Sequence, residues 1–193
     1  KESSKFNDAV KSLNTKDSTK VVGYIGSLRE MEGVDFTALA VSKLIEMGHD
    51  VRFFALSGSS GQIELTNYCN RLGIGDVSVI MGPVPHEEVA KFYDLIDIFV
   101  VSRPDKIVTR LVTPLKPFEA MIMGKTVVAT NLPAIAEIVQ DKQTGLLFEA
   151  DNIESLVSSI ESCLEDEEMC TQLGQSAHRW VTENRTWDRV VKN

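Results

Sequence analysis

The sequence predicts an α/β chain: a doubly wound parallel sheet of about six strands with flanking helices and a helical C-terminus. Three observations predict it. Short β-branched or apolar runs recur between amphipathic stretches, so strand and helix alternate throughout. The run Asp97 to Val101 is apolar almost without a break, as in a parallel strand buried on both faces. The chain also passes from a strand through a glycine turn into a helix between Lys20 and Met47, which is the opening of a βαβ unit.

The elements follow in order. Residues 1–19 are polar and read as a lead-in or linker, with Phe6, Val10 and Leu13 at a spacing that suits one stripe of a short helix. The domain itself is expected over 20–193. Lys20–Ile25 (KVVGYI) is the first strand, and it turns at Gly26-Ser27-Leu28-Arg29. A helix follows from about Gly33 to Met47, stopped by Gly48. Asp50 to Leu56 is the second strand, with a flexible Ser57-Gly58-Ser59-Ser60-Gly61 loop at its carboxyl end. A helix from Gln62 to Leu72 precedes the third strand at Asp76 to Met81. Gly82-Pro83-Val84-Pro85-His86 leads into a helix that ends near Asp94 and that His86 caps or precedes. After the fourth strand, Val127–Ala129 is the fifth. Pro133 opens a short helix and Leu146–Phe148 is the last strand. From Asn152 the chain is helical, capped by Asp151 or Asn152, with Ile153, Leu156, Val157, Ile160 and Leu164 as its apolar stripe. A last helix runs from about Asp166 to Thr182, and Trp187 is expected to anchor the end of the chain.

The stretch Ser102–Thr130 carries the chemistry. Arg103, Lys106, Arg110 and Lys116 lie in one loop, and Asp105 is the only acid between Arg103 and Lys116. The loop runs into a short helix from about Pro117 to Met123, stopped by Gly124. Cationic side chains beside free N–H groups at a helix start form an anion site, for phosphate above all. In an open α/β sheet, ligands bind at the carboxyl ends of the strands, where the strand order reverses. The Gly26-Ser27 turn lies at one such end and is a second candidate anion site, although it lacks the full G-x-G-x-x-G pattern.

Composition narrows the class. A formal net charge of -8 argues against a general nucleic-acid binder. No run is long and apolar enough to cross a bilayer, and Lys1 to Lys20 has no signal-peptide core. The chain opens on Lys rather than Met, which points to a fragment. Cys69, Cys163 and Cys170 include no C-x-x-C pair, and His49, His86 and His178 have no ligand spacing. A reduced, cytoplasmic setting without a metal site is therefore expected.

Pro114-Leu115-Lys116-Pro117-Phe118-Glu119-Ala120-Met121, followed by Gly124-Lys125-Thr126-Val127-Val128-Ala129-Thr130, resembles the donor-binding core of the nucleotide-sugar glycosyltransferases of family 4. Those enzymes have the GT-B architecture, two Rossmann-like domains facing across a cleft. The likeness extends over roughly Lys20 to Val190, through Glu137–Phe148 and the Arg185-Thr186-Trp187 ending. Glu119 matches the second acid of the family's E-x7-E motif, and Leu111 stands where the first would be. In the family's G-R-L-x-x-x-K-G turn, Ser27 and Glu32 replace the phosphate-holding Arg and Lys, with Arg29 a displaced substitute.

The resemblance implies the donor-binding half of an enzyme that moves a sugar from a UDP- or GDP-sugar to an acceptor. Retention of anomeric configuration and independence of metal are part of that expectation. No other cofactor and no nucleic acid are implied. The expected partner is an N-terminal acceptor-binding domain, so the isolated chain should not turn over. The acceptor is left open, a membrane-associated glycan or lipid being one choice, with any membrane contact made through the other domain. No catalytic residue is assigned within the chain. Arg110 and Lys116 are the first choices to stabilise the leaving diphosphate, with Thr113 and the backbone of Leu115 adding hydrogen bonds. Arg103 and then Lys106 rank behind them. Gly26 and Ser27 line the donor. Glu119 is expected to turn away from the phosphates and accept from the ribose hydroxyls. The rival readings are a non-catalytic module of this fold and a nucleotide-sugar epimerase domain.

Overall fold

The computed structural model describes residues 4–184. The strands of its sheet are β1 (Lys20–Ile25), β2 (Val51–Leu56), β3 (Ser78–Met81), β4 (Ile98–Val101), β5 (Thr126–Thr130) and β6 (Leu146–Phe148). They lie in the order β3-β2-β1-β4-β5-β6, and every pairing is parallel. The strands fall where the hydrophobic pattern places them. All four residues of β4 and all five of β5 are buried, which is why neither run alternates with polar residues. Burying each such side chain contributes about 1.5–3 kcal/mol, so the central strands carry much of the stability.

The helices are α1 (Ser4–Leu13), α2 (Val34–Glu46), α3 (Gln62–Arg71), α4 (His86–Tyr93), α5 (Ile107–Leu111), α6 (Lys116–Ile122), α7 (Pro133–Ala136), α8 (Ile153–Glu165) and α9 (Glu167–Asn184). Asn152 caps α8, its side chain accepting from the Ser155 N–H at 3.1 Å. Arg185, Thr186 and Trp187 lie outside the described residues, and so does the anchoring role expected of Trp187.

Two stretches differ from the sequence reading. The segment expected as a lead-in forms α1 and packs on the sheet. Ala9 and Leu13 are buried in the core, and the Phe6 ring meets Phe92 edge-on at 5.5 Å. Val10, placed on the apolar stripe by spacing, is exposed, and the smaller Ala9 takes the inward position. The second difference is α5, inside what reads as a polar loop. Five residues are too few for a periodicity to show. Thr109 holds the turn instead: its hydroxyl donates to the Pro104 carbonyl at 2.6 Å and accepts from the Lys106 N–H at 3.0 Å.

Gly33 joins the sheet to the first long helix. Its φ is +64°, and a Cβ there would stand 1.9 Å from the Ser102 carbonyl oxygen. Both the backbone region and the space exclude a side chain. Gly33→Ala is expected to destabilise the domain by about 2 kcal/mol or more, read from the denaturant midpoint. A loss under about 0.5 kcal/mol would show that α2 can move off the β4 loop.

Candidate functional site

The strand order reverses between β1 and β4, so the chain leaves the two strands in opposite directions and a crevice opens at their carboxyl ends. A cavity of about 220 Å³ lies on the β1–β2–β3 side of this crevice. Gly26, Ser57, Gly58, His86, Lys116 and Glu119 are among the residues that line it. Backbone bonds from Gly26 N–H to Leu56 and from Ser57 N–H to Met81, at 3.0 and 2.9 Å, extend the ladder to its rim. The floor is therefore rigid sheet, and the polar groups come from its ends.

Lys116 and Glu119 stand one turn apart at the start of α6. Lys116 Nζ donates to Glu119 Oε2 at 2.7 Å, and the same oxygen accepts from the Tyr93 hydroxyl at 3.0 Å. Glu119 is thus paired with Lys116, a contact the sequence reading does not include. Its carboxylate is held between an ammonium and a phenol. Tyr93 is buried and stacked on Phe99 at 5.6 Å. Burial, and then the Glu119 carboxylate, push its phenol well above the usual tyrosine value, so Tyr93 stays a donor. No local signal singles out Tyr93, because it reaches Glu119 only through the fold.

A second cluster lies beside the crevice and is buried. Arg103 Nε and Nη2 each donate to a different oxygen of Glu32 at 3.0 Å, and Nη1 donates to the Val112 carbonyl at 3.1 Å. Only 7% of the Arg103 side chain and 11% of Glu32 are exposed. Tyr24 shares the site: burial first, then the charge of Glu32, raises its phenol far above the usual value. Ser102 completes the joint, donating to the Gly33 carbonyl at 2.6 Å. Glu32 departs from the family's basic position, and here its charge is met by Arg103, 71 residues away in sequence.

Each of the four basic residues of the loop has an acidic partner. Arg103 has Glu32, Lys106 has Glu30, Arg110 has Asp105 and Lys116 has Glu119. The loop is thus not the open positive patch that its sequence suggests. Of the four, Lys116 alone lines the cavity. Arg110 is exposed, with Nε 2.5 Å from Asp105 Oδ1. Thr113 and Leu115 are exposed on the approach to α6, and Ser27 is exposed just past Gly26. Ile107, Leu111 and Leu115 project into solvent from the same segment, at 80%, 76% and 70% exposure. Arg29 and Glu137 are also exposed and do not line the cavity. Among the described residues no group of three or more His, Cys, Asp or Glu side chains is placed to hold a metal ion. None of their helices is long and apolar enough to cross a membrane.

Comparison with known proteins bears on the family and the fold. The D-inositol 3-phosphate glycosyltransferase of Corynebacterium diphtheriae is 28% identical over 178 residues, covering 88% of this chain and 40% of that protein. The lipopolysaccharide core biosynthesis mannosyltransferase LpsB of Rhizobium meliloti is 27% identical over 166 residues, covering 82% of this chain and 45% of LpsB. The chain thus spans less than half the length of these relatives. Among solved structures, the C-terminal domain of the group 1 glycosyl transferase LpcC from Francisella tularensis superposes with a TM-score of 0.74 at 19% identity, covering 87% of each chain. HepE from Anabaena, solved with UDP-glucose, gives 0.75 at 20% identity over 93% of this chain and 47% of HepE. The model of the family described as "Glycosyl transferases group 1" matches residues 5–180, including α1. With the whole sheet and nearly all of its helices inside that match, the chain belongs to the group 1 glycosyl transferases and has the fold of their C-terminal domain.

Proposed function

We propose that this domain binds the nucleotide-diphosphate sugar, a UDP- or GDP-sugar, for a retaining, metal-independent glycosyltransferase. One observation carries the reading: Lys116 and Glu119, on a single turn of α6, open into the cavity at the carboxyl ends of the strands. Bond cleavage at the anomeric carbon leaves growing negative charge on the diphosphate. A cation held at that point stabilises the transition state more than the ground state. Lys116 is placed for this task, exchanging its carboxylate partner for a phosphate oxygen. Glu119 keeps the Tyr93 hydroxyl and has lone pairs left for the ribose hydroxyls. Gly26 and Ser27 supply backbone at the rim. Thr113 and the Leu115 backbone lie on the approach to α6, and Arg110 adds charge once it leaves Asp105. Arg103 acts from behind, holding Val112 and the segment that leads to Lys116. The acceptor-binding domain is proposed to be a second Rossmann-like unit, and any contact with a membrane is assigned to it.

One finding favours a non-catalytic module instead: every basic residue of the loop is neutralised by an acid. Calorimetric titration of the domain with UDP and GDP separates the readings. Saturable binding of at least one nucleotide, with the diphosphate at Lys116 in crystals, is the expected result. Nucleotide bound far from Lys116 and Glu119 would refute the donor-site reading, and absence of binding to either nucleotide would favour the module. The chain alone is expected to transfer no sugar to any acceptor tested.

A further inference from the structure

A second cavity, of about 300 Å³, lies at the opposite end of the sheet, where β1, β4 and β5 begin. Lys20, Asp97, Thr126, Cys163, Glu167 and Cys170 line it. Two of the chain's three cysteines therefore meet in one place, on the consecutive helices α8 and α9. Each thiol is the main influence on the other's ionisation. Cys163 is only 2% exposed, whereas Cys170 is partly open to the cavity. The third cysteine, Cys69, is buried in α3.

We propose that Cys163 and Cys170 form an oxidisable dithiol that reacts with hydroperoxides and closes a disulfide between α8 and α9. The geometry divides the roles. Cys170, the more exposed of the two, is the attacking sulfur, and the nearly sealed Cys163 is the resolving one. The electrostatics agree. The Cys163 side chain is the main influence drawing Cys170 below the usual thiol range, with the Lys20 ammonium assisting and burial, then Asp97, opposing. Cys170 in turn, and then burial, push Cys163 up, so it keeps its proton until it is needed. Lys20 is held beside the cavity by Glu167 at 2.5 Å.

The chemistry balances in two steps. The Cys170 thiolate attacks one oxygen of the peroxide, and the O–O bond breaks. The displaced oxygen takes up a proton and leaves as water or an alcohol, and Cys170 becomes a sulfenic acid. Cys163 then attacks the Cys170 sulfur as its proton passes to the departing hydroxyl. The S–O bond breaks, water leaves and the S–S bond forms. Two thiols have lost two electrons to one peroxide. Thr126 ties Cys170 to β5 by donating to its carbonyl at 2.5 Å, so the staple fastens α8 to a part of α9 already anchored on the sheet.

The test is intact mass of the purified domain after brief exposure to hydrogen peroxide, measured without reductant. Wild type should lose two hydrogens, with the new bond mapped to peptides containing Cys163 and Cys170, and dithiothreitol should reverse it. In Cys163→Ser, a dimedone adduct should accumulate on Cys170. In Cys170→Ser, the loss of two hydrogens should vanish. At neutral pH, a maleimide should label Cys170 at least about tenfold faster than Cys69. Oxygen added to wild type without loss of hydrogens, a disulfide involving Cys69 or a second chain, or equal labelling rates would overturn the proposal. Should Cys163→Ser fail to fold, the peptide map of the wild type decides alone.

Discussion

Lys116→Ala is expected to weaken UDP or GDP binding by about ten- to a hundredfold, the loss of a charge-assisted hydrogen bond to phosphate worth about 1.5–3 kcal/mol. Calorimetry at fixed ionic strength measures it. The fold should be little affected, because Lys116 is partly exposed and its partner Glu119 keeps the Tyr93 hydroxyl. A change in stability within about 0.5 kcal/mol is the corresponding expectation. Lys116→Arg should recover part of the affinity, since charge is restored while the point geometry of the ammonium is not. The neighbour gives a second discrimination. If Glu119 holds the ribose, Glu119→Gln lowers affinity. If Glu119 only neutralises Lys116, the same change frees the cation and raises affinity. The first outcome is expected. Unchanged affinity in Lys116→Ala would remove the cation from the proposed donor site.

Arg103→Ala should produce the largest loss of stability, about 3–5 kcal/mol, because it leaves the Glu32 carboxylate buried and unpaired. The pair is nearly sealed, and Arg103 also donates to the Val112 carbonyl. In a domain of this size each kcal/mol moves the melting midpoint by about 2–4 °C, so the drop should be visible in a thermal scan. Replacing both partners together, Arg103→Met with Glu32→Leu, should cost much less than Arg103→Ala alone. That pattern belongs to a buried pair whose main energetic weight is the penalty of breaking it. Glu32→Gln tests the strut from the other side. If Arg103 were the phosphate ligand, loosening its acid would strengthen nucleotide binding. As a strut holding Val112, Arg103 would lose its anchor and binding would weaken. A loss below about 1 kcal/mol in Arg103→Ala would mean that the joint between the Gly33 turn and the α5 segment is held elsewhere.

These two residues show where local reading stops. Lys116 and Glu119 are three positions apart on one helix, and the residues around them specify that helix: Pro117 in its first turn and Gly124 just past its end. Their closeness is a property of the local chain. Arg103 and Glu32 are 71 positions apart, and no spacing rule connects them. Read alone, Arg103 is one more basic residue in a phosphate loop and Glu32 one lost cation. Brought together, each accounts for the other. Tyr93 is a similar case, since α4 has to pack beside β4 before its hydroxyl can meet Glu119.

The sequence by itself determined the sheet, its parallel sense, the strand ends at which a ligand could sit, and the helix that carries Lys116 and Glu119. Those features follow from hydrophobic period, glycine and proline, which act over a few residues. Only the tertiary structure decided that α1 belongs to the core, that every cation of the Ser102–Lys116 loop has an acidic partner, and that Cys163 and Cys170 meet. Such facts depend on which distant side chains share a volume once the backbone has folded. A hydrogen bond needs about 3 Å and exposed charges are screened beyond about 10 Å at 0.1 M salt, so a partner cannot be known before its distance is.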